Sequence, residues 1–223
     1  NNLRKILENY GIKRRCYPDA AGFSKLFLSK EERLANWQSD FDASLSKEDR
    51  ALEITRGDKR LKRILEFVDD LEDGESFFIS EHMADTHFPW NRTSEKRAKE
   101  LGFPQGLAFA EKHGKTDKQK RYLQTITRMD GQIGSLMQRL KERGFYDKTC
   151  VVVVGDHGCQ WYEHERGYYV SHLYEASIRI PLIIKLPTGK NPRPERINAP
   201  ITPQDVLPTL CELGGVVHEP NET

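Results

Sequence analysis

The chain has 223 residues, 37% of them hydrophobic and 31% charged, enough to bury the core of one large domain. Its 35 Lys and Arg against 34 Asp and Glu leave a net charge of +1, which argues against a nucleic-acid tail and a polybasic membrane anchor. No apolar run approaches the roughly 18 residues of a transmembrane helix, and no charged-then-apolar secretory leader stands at Asn1.

In chain order, Leu3, Ile6, Leu7 and Tyr10 have helical spacing and Gly11 stops that helix. Residues 16–57 carry Phe23, Leu26, Phe27, Leu34 and Trp37 without a regular period, which reads as loop and short helices. Leu61, Ile64, Leu65 and Val68 mark a second amphipathic helix, and Ser76 to Ser80 reads as a buried strand. The Pro-, Gly- and charge-rich stretch from Asp85 to Lys115 reads as a long surface excursion, and the loop from Asn91 to Thr116 is expected to shape specificity.

Tyr122, Ile126, Met129, Ile133, Leu136 and Leu140 then form one apolar stripe that ends at Gly144. Val151 to Val154 are β-branched and apolar on both faces, as a central parallel strand requires. A further buried strand is expected between Ile178 and Leu186, around Pro181 to Ile184. The last helix starts at Thr202 as N-cap, with Pro203 at its first position, and ends at Gly214-Gly215. Helix, short turn and buried strand make an α/β unit.

None of the four cysteines, Cys16, Cys150, Cys159 and Cys211, forms a C-x-x-C pair, so a zinc knuckle or thioredoxin-type motif is excluded. All four are expected as free thiols. Asn91-Arg92-Thr93 and Asn221-Glu222-Thr223 match the glycosylation tripeptide, which arises often by chance and says little about compartment.

Three segments can carry chemistry. Asp156-His157-Gly158 follows the four valines, and ligands in open α/β sheets collect at the carboxyl ends of strands. A carboxylate beside an imidazole there suits a divalent metal, while the plainer reading is a polar turn. Asp85-Thr86-His87-Phe88-Pro89-Trp90 follows the strand at Phe77 to Ser80; His87 is either a site residue or a surface histidine. If both strands belong to one sheet, the two clusters lie near each other. Glu163-His164 through Ser171-His172-Leu173-Tyr174-Glu175 is the third. Its histidines can bind an oxyanion or protonate a leaving group, or the segment is a rim packed by Tyr168, Tyr169 and Tyr174.

Several of these stretches resemble the sulfatase family of the alkaline phosphatase superfamily. They are Met129-Asp130 through Leu136, Leu140 through Thr149, Val151 to Gly158, Leu173 to Ile184 and Ile201 to Leu210 followed by Leu213-Gly214-Gly215. Phe77-Phe78 through Thr86-His87-Phe88-Pro89 is similar to the family's mid-domain substrate loop. The resemblance implies an α/β, alkaline-phosphatase-like sandwich with a mostly parallel central sheet flanked by helices. It further implies a single, partial sulfatase-like domain over 1–223, with an irregular and helical lead-in at 1–73 and the family motifs at 74–217.

For function, the resemblance implies a sulfuric ester hydrolase acting with a divalent metal, calcium first, with magnesium, manganese or zinc as alternatives. Asp156 and His157 match metal ligands. His87 and His172 match groups that touch the sulfate or the leaving oxygen, and His164 is a further substrate-binding candidate. The implied partner is a sulfated or phosphorylated small molecule or glycan, with self-association open and neither nucleic acid nor a membrane span expected. The family is often periplasmic, secreted or lysosomal.

The sequence also departs from the family pattern. Val170 stands where members carry a lysine, four residues before the tyrosine of Tyr174-Glu175. Cys16-Tyr17-Pro18-Asp19 lacks the arginine of the family's Cys/Ser-x-Pro-x-Arg nucleophile motif, and the Asp-Asp metal pair is not found, so an N-terminal part is expected to be missing. Two alternatives stay open: a phosphodiester or phosphonate ester hydrolase or transferase of the same superfamily, and a non-catalytic fragment or homologue.

Overall fold

The structure, a computed structural model, describes residues 13–17, 48–49, 52, 55–88, 90, 93–102, 104–164, 166–168, 172–188 and 195–215. The helix expected at Leu3 to Tyr10, the apolar residues Phe23 to Trp37, Val170 and Asn221 to Thr223 lie outside the described residues, as do Asn91 and Arg92 of the first sequon. The chain forms two compact units, Asn1–Gly144 and Phe145–Thr223.

In the first unit, strand β1 (Lys13–Tyr17) runs parallel to β2 (Phe77–Glu81), with Lys13 opposite Phe77 and Tyr17 opposite Glu81. Helix α1 (Arg56–Asp69) lies between them in sequence. It starts on a reciprocal cap: the Thr55 hydroxyl accepts from the Asp58 N–H at 3.2 Å, and the Asp58 carboxylate accepts from the Thr55 N–H at 2.9 Å. Its buried apolar face is Ile64, Phe67 and Val68, and burying each contributes about 1.5–3 kcal/mol.

The stretch expected as a surface excursion is largely helical. A 3-10 turn (Ala84–Thr86) is followed by α2 (Glu95–Glu100), α3 (Pro104–His113) and α4 (Asp117–Glu142). Ser94 caps α2 by accepting from the Arg97 N–H. Gly106 lets α3 approach α4, because a Cβ there would stand 1.9 Å from Thr127 Cγ2. These small and polar residues, which look like loop signals in the sequence, are caps and close-packing positions.

Helix α4 contains the whole apolar stripe and starts before it, and Gly144 ends it at φ +73° as expected. Its buried face is different. Gln124, Thr125, Arg128 and Gln132 are buried with Leu140, while Ile126 is exposed and Tyr122, Met129, Ile133 and Leu136 are only half-buried. The reason is Asp58 on α1: Arg128 and Gln132 donate to its carboxylate, so the polar side of α4 turns inward. At the far end Arg139 binds the Asp69 carboxylate, and Arg143 donates to the Leu71 carbonyl at 2.6 Å.

The second unit contains β3 (Val151–Val154), β4 (Gln160–His164), β5 (Arg166–Tyr168), α5 (Glu175–Ile178), β6 (Leu182–Lys185) and α6 (Val206–Leu213). The four valines do not sit in a parallel ladder. β3 pairs antiparallel with β6, Val151 opposite Lys185 and Val154 opposite Leu182. The pairing is fastened at one end by the Lys185 ammonium, which donates to the Thr149 and Tyr146 carbonyls. Among the described residues β3 pairs with β6, and the faces of this ladder are partly open: Val154 is 43% exposed and Ile183 62%.

The expectation that the strands before His87 and Asp156 share one sheet is not met among the described residues. β2 pairs with β1, β3 with β6 and β4 with β5, each as a two-stranded ladder. The last helix agrees with expectation: Thr202 precedes a 3-10 turn at Pro203–Asp205, donates its N–H to Asp205 Oδ2 at 2.7 Å, and leads into α6. Cys150, Cys159 and Cys211 are free thiols, while the side chain of Cys16 lies outside the description. Among the described residues no helix is long and apolar enough to cross a membrane.

Candidate active site

The turn after β3 is held from both sides. The Gly155 N–H donates to the Pro181 carbonyl at 3.0 Å, and the Gly158 N–H donates to the Ser177 carbonyl at 2.7 Å. A Cβ on Gly158 would lie 2.0 Å from the Ala176 carbonyl oxygen, so this approach requires glycine. Beyond it, Gln160 Nε2 donates to Ser177 Oγ, with Gln160 only 1% and Ser177 only 2% exposed. Asp156 and His157 are therefore presented on a turn tied to α5.

The Asp156 carboxylate accepts from the His157 N–H at 2.8 Å through Oδ1. The His157 Nδ1 faces the Gly158 carbonyl oxygen at 2.8 Å. A carbonyl only accepts, so Nδ1 carries the proton, and the neutral ring has its lone pair on Nε2. That Nε2 is 3.8 Å from Asp156 Oδ2, and both side chains are exposed. Two ligand bonds of about 2.0–2.6 Å each can bridge such a gap, and a histidine oriented by a backbone carbonyl on its other nitrogen is the usual metal-ligand arrangement. The pair fits a divalent cation as two of its ligands. Among the described residues no cluster of three or more His, Cys, Asp or Glu converges on one point.

The third segment forms an aromatic rim in the same unit. The His164 ring stacks on Tyr174 at 3.7 Å and 20°, and His172 meets Tyr174 edge-on at 5.7 Å. All three are exposed. The hairpin that carries His164 is irregular: the β4–β5 register shifts between Trp161 and His164, and Tyr162 has φ +68°. A non-glycine residue in that region costs about 1–3 kcal/mol, strain that clusters at functional sites. The rim role of Tyr174 matches one of the two sequence readings of this segment, while Tyr162 has no signal in the sequence. Cys159 lies beside this rim, but burial, reinforced by the Glu163 charge, pushes its thiol up to about 11. It is a poor nucleophile near neutral pH.

His87 belongs to the first unit, just past the turn Ala84–Thr86. Its Nδ1 donates to the Phe88 carbonyl at 2.6 Å, which again leaves the neutral lone pair on Nε2, and the ring is exposed. Trp90, 4% exposed, donates its indole N–H to the Thr86 carbonyl at 2.7 Å and packs edge-on against Phe88 and Tyr122. The structure thus groups His164, His172 and Tyr174, ties the Asp156–His157 turn to α5, whose N-cap is Tyr174, and sets His87 on a separate anchored segment.

A sequence model of the sulfatase family matches residues 7–216. The chain is similar to arylsulfatase K of Danio rerio, 33% identical over 95 residues, which are 43% of this chain and 18% of that protein. It is similar to an ulvan-active sulfatase of Formosa agariphila, 28% identical over 153 residues, 65% of this chain and 30% of that protein. It resembles Ps i-CgsB, whose crystal structure is in complex with k-i-k-neocarrahexaose, with TM-score 0.57 and 21% identity over 74% of this chain and 35% of that one. The matches to the two curated relatives span less than a third of their lengths. The structural likeness bears out the α/β, alkaline-phosphatase-like fold class.

Proposed function

The chain belongs to the sulfatase family, and from that premise we propose that it carries the cation-binding turn and the histidine groups of an enzyme that hydrolyses sulfate esters. The observation that carries the proposal is the pair at the end of β3, with His157 Nε2 and Asp156 Oδ2 only 3.8 Å apart and the imidazole oriented through its other nitrogen. Asp156 and His157 would hold a divalent cation. The hard carboxylate suits calcium or magnesium, and the imidazole also admits manganese or zinc. When bound, that cation would neutralise charge on the sulfate oxygens.

The protein's own groups supply the rest of the proposed chemistry. His164 and His172, gathered on Tyr174, would bind the oxyanion when protonated. His87 already carries a proton on Nδ1; a second on Nε2 would be the one donated to the leaving oxygen. The substrate we propose for the whole protein is a sulfated glycan. The ulvan-active relative and the carrageenan-type ligand of the structural neighbour support that class, and the exposed Tyr174 offers a flat surface to a ring.

One alternative is favoured by specific residues. His157 places nitrogen at a metal position, and Val170 leaves the site without the lysine that would neutralise a sulfate; both lean toward a phosphodiester or phosphonate ester. Side-by-side turnover of an aryl sulfate and an aryl phosphodiester by the complete protein decides between them. Preferred turnover of the sulfate supports the main reading, and preferred turnover of the phosphodiester overturns it. Failure to bind any divalent cation would favour a non-catalytic homologue.

A further inference from the structure

We propose that Asp85 is a positioning residue that holds His87 in place through helices α1 and α4; this rests on the role given to His87 above. His87 is exposed, and its hydrogen bond to its neighbour Phe88 orients the ring. The segment is anchored two residues back, at Asp85. Thr55 Oγ1 donates to Asp85 Oδ2 at 2.7 Å while accepting the Asp58 N–H at 3.2 Å. Asp58 in turn receives Gln132 Nε2 at 2.8 Å and the Arg128 guanidinium, both from α4. A continuous polar path therefore runs from α4 through Asp58 and Thr55 to Asp85.

The berth is shaped for that carboxylate. A Cβ on Gly57 would stand 2.4 Å from Asp85 Oδ2, so glycine at the start of α1 is what admits it. On the other side of His87, the Trp90 indole donates to the Thr86 carbonyl at 2.7 Å and packs on Tyr122, also from α4. His87 is bracketed by two anchors that both end on one helix. Proton donation needs the donor within hydrogen-bond reach of the leaving oxygen, and a displacement of about 1 Å can cost on the order of 100-fold in rate. A clamp of this kind supplies that precision.

The test uses Asp85→Ala, Asp85→Asn and Gly57→Ala in the complete protein, with two readouts. One is hydrogen exchange of the Trp90 indole N–H, compared with amides of α4. The other is kcat and KM on para-nitrophenyl sulfate. Asp85→Ala should speed indole exchange about tenfold or more while α4 amides keep their protection. It should lower kcat about 10- to 100-fold with KM within about twofold. Gly57→Ala, which keeps the carboxylate but fills its berth, should do the same. Asp85→Asn, whose amide oxygen still accepts the Thr55 hydroxyl, should recover both readouts. Wild-type exchange and kcat in Asp85→Ala overturn the proposal, as does a lowered melting temperature with both readouts unchanged in the folded protein. His87→Ala separates the two claims: wild-type turnover there contradicts the role of His87 itself, whatever Asp85→Ala does.

Discussion

Asp58 shows how one residue fastens two helices. Burial alone would push its carboxyl up. The hydrogen bond and charge of Arg128, the Thr55 N–H and Gln132 outweigh that and hold it below its ordinary 3.8. A carboxylate with a depressed native value stabilises the fold above its unfolded value and stops doing so as pH falls through the native one. The stabilisation from Asp58 is therefore complete above about pH 5 and lost progressively below 3.8. Acid unfolding of Asp58→Asn should accordingly depend less steeply on pH below 4 than that of the wild-type chain; equal slopes would show that Asp58 does not couple to folding. Asp58→Ala, which removes the carboxylate that Arg128 and Gln132 donate to, should cost about 3–5 kcal/mol by denaturant titration. Cys159 is the opposite case. With its thiol near 11, about one molecule in a thousand is thiolate at pH 8. Its alkylation by iodoacetamide should be slow there and rise about tenfold per pH unit up to 10, read by peptide mass mapping.

At the scale of elements, the turn that carries Asp156 and His157 depends on backbone approach. Gly158→Ala puts a methyl group 2.0 Å from the Ala176 carbonyl and must push the turn from α5. The expected cost is about 1–3 kcal/mol in thermal unfolding, with weakened cation binding; wild-type stability would mean that the turn relaxes freely. The contrast between α1 and α4 shows what a hydrophobic pattern can carry. On α1 the apolar residues of the sequence include Ile64 and Val68, which are buried. On α4 the same reasoning predicts the helix and its end at Gly144, but not its buried face, because Arg128 and Gln132 are drawn in by a carboxylate 70 and 74 residues away. Periodicity records apolar transfer, and it is silent about a distant charge that repays burial of a polar side chain. The valine run of β3 likewise predicts the strand, but the parallel direction expected from it is wrong, since composition does not choose between parallel and antiparallel partners.

For the whole molecule, the fold class was legible because motifs recur in order along the chain, and the family match over residues 7–216 agrees with them. The candidate residues were legible as residue types at strand ends. What was not legible was their setting: the His164–Tyr174 stack, the left-handed Tyr162 and the buried Gln160–Ser177 bond all depend on contacts between segments that no local pattern encodes. The central claim is that Asp156 and His157 hold a divalent cation needed for sulfate ester hydrolysis. The most direct measurement is turnover of an aryl sulfate by the complete protein, wild type and Asp156→Ala, after chelation and on readdition of each divalent cation. The account predicts that wild-type activity disappears with chelator and returns with metal, while Asp156→Ala stays inactive under both conditions with its fold intact. Metal-independent turnover, or an Asp156→Ala variant restored to the wild-type rate, would contradict it.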